Sequence, residues 1–176
     1  MTDSFSTVLA VSVLDEPKGI VEKLEAHQKG ILHRAFSIFL TDENGNMLIQ
    51  KRAAGKYHSG GLWSNACCSH PTTDDILREA NERLFQELGV RTGLSEIDSF
   101  IYRCVFSDGL IEYEYDHILI GRISRNERIV LNPEEAEEIR FISLNELKLQ
   151  LLRQPETFSA WFITAAPKVI RRLEKR

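Results

Sequence analysis

Gly60-Gly61-Leu62-Trp63-Ser64-Asn65-Ala66-Cys67-Cys68-Ser69-His70-Pro71 is the densest run of chemistry in the chain. A glycine pair permits close backbone approach or positive φ, and two cysteines and a histidine then fall within four residues ahead of a proline. Side chains alternate along an extended segment, so Cys68 and His70 would share a face and Cys67 would take the other. One thiol is thereby delivered beside an imidazole. Cys67 is expected to be an inert core residue, the ordinary fate of a free cysteine.

The flanks of this stretch are regular. Downstream, Thr72-Thr73-Asp74-Asp75 reads as a helix start, and the helix should run from about Ile76 to Leu88 and stop at Gly89. Its apolar positions Ile76, Leu77, Ala80, Leu84 and Leu88 follow the helical period, with Arg78, Glu82, Arg83, Gln86 and Glu87 opposite. Upstream, 53–61 reads as a loop holding Lys56, His58 and three glycines. Before it, His33 opens a strand over 34–40 with little alternation, as expected of one covered on both faces. Asp42-Glu43-Asn44-Gly45 supplies turn chemistry, and 46–50 returns as the second arm of a hairpin ending in Lys51-Arg52.

Residues 7–14 read as a further strand, and 22–28 as a short helix or loop carrying Lys23 and His27. Strands at 97–106 and 110–121 flank the turn Ser107-Asp108-Gly109. In the second, Glu112 and Glu114 share one face and Tyr113 and Tyr115 the other. A short strand at 137–142 precedes a capping box, Ser143-Leu144-Asn145-Glu146, which starts a helix. A last helix is expected over 156–175, with Trp161 in its first half and Pro167 kinking it. No repeat or linker divides the chain, so residues 1–176 should form one α/β (α+β) domain, a mixed β-sheet sandwiched by helices.

Bulk properties narrow the function. A chain of 176 residues can bury a sizeable core unaided, and an odd count of three cysteines argues against a disulfide framework and for a reducing compartment. The first six residues lack Lys and Arg, and the apolar run that follows is interrupted by Ser12 and ended by Asp15, which is not a signal peptide. No apolar stretch approaches the ~20 residues that cross a bilayer, so a cytoplasmic protein without membrane contacts is expected. A net charge of −4 with scattered basic residues disfavours nucleic acid as a partner. The basic cluster from Arg171 onward suits the negative end of a helix dipole.

His27, His33, His70 and the pair Glu112/Glu114 are the best ligand candidates, a donor mixture suited to Mn, Mg, Zn or Fe(II). His58 and His117 lack such partners and are read as surface or structural residues. Lys23, Arg52, Lys56 and Arg83 lie near the same segments, as binding of a phosphate or diphosphate would require. Flavin and nicotinamide are not suggested, since no Gly-x-Gly-x-x-Gly follows a strand.

The segment Trp63–Pro71, the Glu112-Tyr113-Glu114 strand and Glu87-Leu88-Gly89 closing a helix together resemble the type I isopentenyl-diphosphate Δ-isomerases, over nearly the whole chain from Lys23 to Trp161. The resemblance implies a Nudix-like fold and interconversion of isopentenyl and dimethylallyl diphosphate, with a small-molecule allylic or homoallylic diphosphate as partner and a monomer or weak dimer as the working state. It implies that Cys68 is the catalytic thiol, that Glu114, assisted by Tyr102, is the acid/base on the opposite face of the substrate, and that Trp161 stands over a developing cation. His27, His33, His70, Glu112 and Glu114 would hold a divalent metal (Mn, Mg or Zn). Glu87 would help hold a Mg that arrives with the diphosphate, and Lys23, Arg52, Lys56 and Arg83 would bind the diphosphate itself. The interval from His27 to His33 is one residue shorter than in the family pattern, and Gly60 stands where a Pro is expected.

Two other readings are open. A Nudix hydrolase should need more carboxylates than Glu82-Arg83-Leu84-Phe85-Gln86-Glu87 provides, since Arg83 and Gln86 occupy the places of others. A non-catalytic diphosphate-binding protein leaves the Cys68/His70 and Glu112/Glu114 pairs unexplained.

Overall fold

Nine consecutive buried residues, His33–Thr41, form the strand on which the sheet is built. A computed structural model describes residues 6–56 and 58–175. In chain order the elements are β1 (Thr7–Val11), β2 (Pro17–Glu22), α1 (Lys23–Lys29), β3 (His33–Thr41), β4 (Met47–Arg52), β5 (Trp63–Ser64) and β6 (Cys67–Ser69). There follow α2 (Ile76–Leu88), β7 (Ser95–Val105), β8 (Ile111–Arg122), β9 (Ala136–Ile142), α3 (Leu144–Arg153), a 3-10 turn (Pro155–Thr157) and α4 (Ala160–Glu174).

β3 lacks polar alternation because both of its faces are covered. Phe36, Ile38 and Leu40 enter a core shared with Ala80, Leu84 and Leu88 of α2. Phe39, on the other face, packs with Trp161, Phe162, Ala165 and Val169 of α4. Such double coverage makes a near-continuous apolar run the expected sequence of a central strand.

β8 lies parallel to β3, with His33 opposite Glu114. β7 pairs antiparallel with β8, and β9 with β4. β6 runs antiparallel to β3 with Cys68 opposite Ser37, and β5 pairs with β4. The mixed sheet between helices is the expected α+β architecture. The expected α2 is also found, capped by Asp75, whose carboxylate accepts from the Arg78 amide, and stopped by Gly89 at φ 71°.

Three expectations are corrected. The strand read over 7–14 ends at Val11, and Asp15, at φ 61°, turns the chain into β2. β2 escaped the sequence reading because it is an exposed edge strand that begins with Pro17 and contains Gly19, so it carries no apolar pattern. The last helix starts at Ala160, after the turn begun by Pro155, and it continues through Pro167 to Glu174, supported by its buried face. Met1–Phe5, from which a signal peptide was excluded, and the terminal Arg176 lie outside the described residues.

Arg34, facing away from His33, ties the β1–β2 turn to the approach of α2. It donates to the Asp15 carboxylate and carbonyl and to the Asp74 carboxylate at 2.8–2.9 Å. His117 is structural, set between Asp15 (3.1 Å) and Glu96 (2.8 Å). Among the described residues, no helix is long and apolar enough to cross a membrane.

Candidate active site

A cavity of about 280 Å³ opens at the end of the sheet where β3 and β8 begin, bounded by α1, α2, the loop after β4 and Trp161 of α4. A larger hollow of about 530 Å³ lies elsewhere, lined by Phe39, Ile120, Val169 and Leu173, and it holds no histidine or cysteine. The histidines, glutamates and Cys68 singled out by sequence converge on the smaller one.

His27, His33, His70 and Glu114 converge there, with one donor atom of each within 4.8 Å of the others. Four elements supply them: α1, β3, the exit of β6, and β8. His70 Nε2 is 2.8 Å and His33 Nε2 3.6 Å from Glu114 Oε1. The short interval between His27 and His33 does not keep His27 out, since α1 ends at Gly30 in the left-handed conformation and turns the chain straight into β3. Glu112 is brought instead within 4.8 Å of His27 and His58. Alternation along β8 points both glutamates inward, and the Tyr102 hydroxyl from β7 lies 2.8 Å from Glu112 and 2.7 Å from Glu114.

Burial pushes His70 down to about 3 and His27 down to about 4, against the opposing pull of Glu114 on His70 and of the Lys23 carbonyl on His27. Burial disfavours charge on His33 too, but its Glu114 partner outweighs it and raises this imidazole. Burial would likewise raise Glu114, yet His33 and His70 hold it well below the usual carboxylate range. An ionised carboxylate among mostly neutral imidazoles is the protonation state that binds a divalent cation.

The two cysteines separate as alternation requires. Cys67 is 0% exposed, within the α2 core. Cys68 lines the cavity, and burial pushes its thiol up to about 12, the Arg52 guanidinium at 4.0 Å opposing. Asn65, wholly buried, fixes this segment: its amide donates to the Ile38 and Cys67 carbonyls, and its oxygen accepts from the Trp161 indole at 3.0 Å. Arg52 lies 4.9 Å over the Trp161 ring.

Lys23, Arg52, Lys56 and Arg83 all line the cavity, so the predicted cationic set is assembled. Arg83 donates at 2.8 Å to both Glu87 and Glu135, and Lys56 pairs with Glu135 as well. Glu87 is buried and its carboxyl raised by that burial, with Arg83 opposing. The other acidic residues of α2 that line the cavity are engaged: Glu79 accepts from the Thr72 and Thr73 amides, and Glu82 pairs with Arg78.

Comparison with known proteins agrees with this geometry. Residues 31–162 match the NUDIX domain family. The chain is 45% identical over 164 residues to isopentenyl-diphosphate Delta-isomerase 2 of Aromatoleum aromaticum, covering 93% of this chain and 86% of that one. The chain belongs to the Nudix-fold isopentenyl-diphosphate Δ-isomerase family. A second member, the isopentenyl-diphosphate Delta-isomerase of Aliivibrio fischeri, is 41% identical over 176 residues, covering 96% and 97% of the two chains. Among solved structures, DR0079 from Deinococcus radiodurans shares the fold with a TM-score of 0.72 at 14% identity, covering 96% of this chain and 99% of that one.

Sequence reading missed two residues of the site. His58, taken as surface or structural, is 7% exposed, with Nε2 3.0 Å from Glu112. Glu135, not singled out at all, faces both Lys56 and Arg83. Its place in a loop after Asn132-Pro133 gave no periodic signal, whereas a histidine two residues beyond Lys56, ahead of the Gly60-Gly61 pair, was a visible donor.

Proposed function

We propose that this protein interconverts isopentenyl and dimethylallyl diphosphate, with Cys68 and Glu114 as the opposed proton-transfer groups. The observation that carries the reading is the meeting, in one cavity, of the Cys68 thiol, the Tyr102-bridged glutamates and four cationic side chains.

Lys23, Arg52, Lys56 and Arg83 anchor the diphosphate away from the reacting carbons, and such remote binding can be used to enforce orientation. One of Cys68 and Glu114 delivers a proton to C4 of isopentenyl diphosphate, leaving a tertiary cation at C3. The other removes a proton from C2, and the electron pair of that C–H bond becomes the new double bond. Their roles exchange in the reverse direction. Tyr102 holds the glutamates in place, and a thiol raised to about 12 remains protonated between turnovers. Water would trap the cation, so a dry pocket and an indole face both favour product. A desolvated cation–π contact contributes about 2 kcal/mol, or one to two decades in rate, which assists the proton-transfer pair without replacing it.

The histidines and glutamates fit a divalent metal: their donor atoms are clustered, and the chemistry of imidazole with carboxylate suits Mn, Zn or Fe(II). When bound, such an ion supplies Lewis-acid polarisation and fixes the Glu114 side of the pocket. Glu87, which lines the same cavity, would help hold a Mg brought by the diphosphate. A hydrolase is less well supported, because Glu79 and Glu82 are committed to other partners.

Proton and phosphorus NMR of the metal-reconstituted protein with isopentenyl diphosphate in D₂O tests this. Deuterium-labelled dimethylallyl diphosphate with both phosphates retained is expected. Released phosphate with an unmoved double bond would make the protein a hydrolase.

A further inference from the structure

The donor atoms at the cavity form two sets, His27/His33/His70/Glu114 and His27/His58/Glu112, each with its atoms within 4.8 Å of one another. We propose that His58 is a ligand of the same cation, giving six protein donors with His27, His33, His70, Glu112 and Glu114. This rests on reading the cluster as a metal centre and is independent of which reaction the protein catalyses.

His27 is common to both sets. Its Nδ1 lies 2.7 Å from the Lys23 carbonyl, an acceptor only, so Nδ1 carries the proton and Nε2 the single lone pair. One lone pair cannot serve two ions, so the two sets cannot be filled separately at once through His27; joined as two sides of one centre, they require the outer donors to draw in around the ion. Glu112 belongs to the side that contains His58, with His58 Nε2 3.0 Å from Glu112 Oε1. Metal–ligand bonds of about 2.1–2.2 Å place adjacent donors of an octahedron roughly 3 Å apart. The 2.8 and 3.6 Å separations of His70 and His33 from Glu114 bracket that value on the other side.

His58 is also built into its position. Its ring stacks on Phe106 (centroids 4.5 Å, interplanar angle 14°) and meets the edge of Trp161 at 5.9 Å. Its carbonyl accepts from Arg52, and the next residue, Ser59, takes the left-handed φ of 53°. Gly60 leaves no room for a side chain, since a Cβ there would stand 2.5 Å from the Ala54 carbonyl oxygen. The Ser59 hydroxyl, 3.2 Å from His58 Nδ1, can accept the ring proton and leave Nε2 with its lone pair toward Glu112. Four imidazoles and two carboxylates leave no place for water on the ion and favour a transition metal over Mg.

Water-proton relaxation and EPR of the Mn(II)-loaded protein test the assignment. The wild-type complex is expected to show little inner-sphere relaxation enhancement. His58→Ala should bind Mn(II) about tenfold more weakly or worse, the scale seen when a metal site loses a supporting group, and gain the enhancement of a coordinated water. His58→Gln offers Glu112 an N–H donor but the ion no imidazole, so it should behave like His58→Ala. Wild-type affinity and relaxation in His58→Gln would reduce His58 to a holder of Glu112 and overturn the proposal, as would a wild-type complex that already carries water. His33→Ala is the control: unchanged Mn(II) binding in that variant would remove the metal centre itself.

Discussion

Tyr102→Phe removes one hydroxyl from between two buried carboxylates and leaves the ring packing in place. The hydroxyl has a single proton and lies 2.7–2.8 Å from both Glu112 and Glu114, so it donates to one while keeping the other close. Burial and the two glutamates raise this phenol well above its ordinary value, which keeps the proton on it. A hydrogen bond to a charged acceptor contributes about 1.5–3 kcal/mol. At ~1.4 kcal/mol per decade, that is a loss of roughly 10- to 100-fold. The loss should fall on kcat, because the hydroxyl faces the carboxylates and not the cations that hold the diphosphate, and KM should move little. Mn(II) affinity should fall too, since Glu112 and Glu114 lose the group that orients them. Steady-state kinetics at saturating Mn(II), with an independent Mn(II) titration by EPR, separate the two effects. A kcat within twofold of wild type, or a loss carried wholly by KM, would refute the placement of Tyr102 at the reacting end of the pocket.

Three further outcomes are expected. Cys68→Ala should nearly abolish turnover while Cys67→Ala leaves it largely intact, and iodoacetamide should label Cys68 slowly at pH 7–9 and faster only as pH climbs toward about 12, since burial keeps it protonated; rapid labelling at pH 7 would contradict the neutral thiol. Gly60→Ala forces a Cβ against the Ala54 carbonyl and should displace the loop that presents Lys56 and His58, weakening both Mn(II) and diphosphate binding, so unchanged titrations of Mn(II) and inorganic pyrophosphate would show that the loop adapts. Glu135→Gln frees Lys56 and Arg83 from their counter-ion, and with about 1 kcal/mol for each of the two part-exposed pairs pyrophosphate should bind up to roughly thirtyfold tighter by calorimetry; weaker binding would instead make Glu135 part of the anion site.

The legible parts of the sequence were those whose signal is local. Asp75 and Gly89 bracket α2 because a cap and a left-handed stop are properties of a few adjacent residues. The split between Cys67 and Cys68, and the shared face of Glu112 and Glu114, follow from period-two alternation. β2 was illegible because an exposed edge strand needs no apolar face. His58 is placed by Phe106 and Trp161, which reach it from distant segments, and Glu135 by cations on two other elements. No window of sequence around His58 contains Phe106, Trp161 or Glu112, and none around Glu135 contains Lys56 or Arg83.

The parallel register that sets His33 opposite Glu114 has a consequence for the order of events in the cell. During synthesis the amino-terminal half emerges with His27, His33, His58 and His70 already present, and the carboxylates that complete the centre arrive only with β8. Until then the imidazoles stand without a carboxylate, and the cluster is complete only when β8 pairs with β3 in this register. A one-residue slip would turn Glu112 and Glu114 outward and present Tyr113 and Tyr115 in their place, and the imidazoles would lose both carboxylates at once.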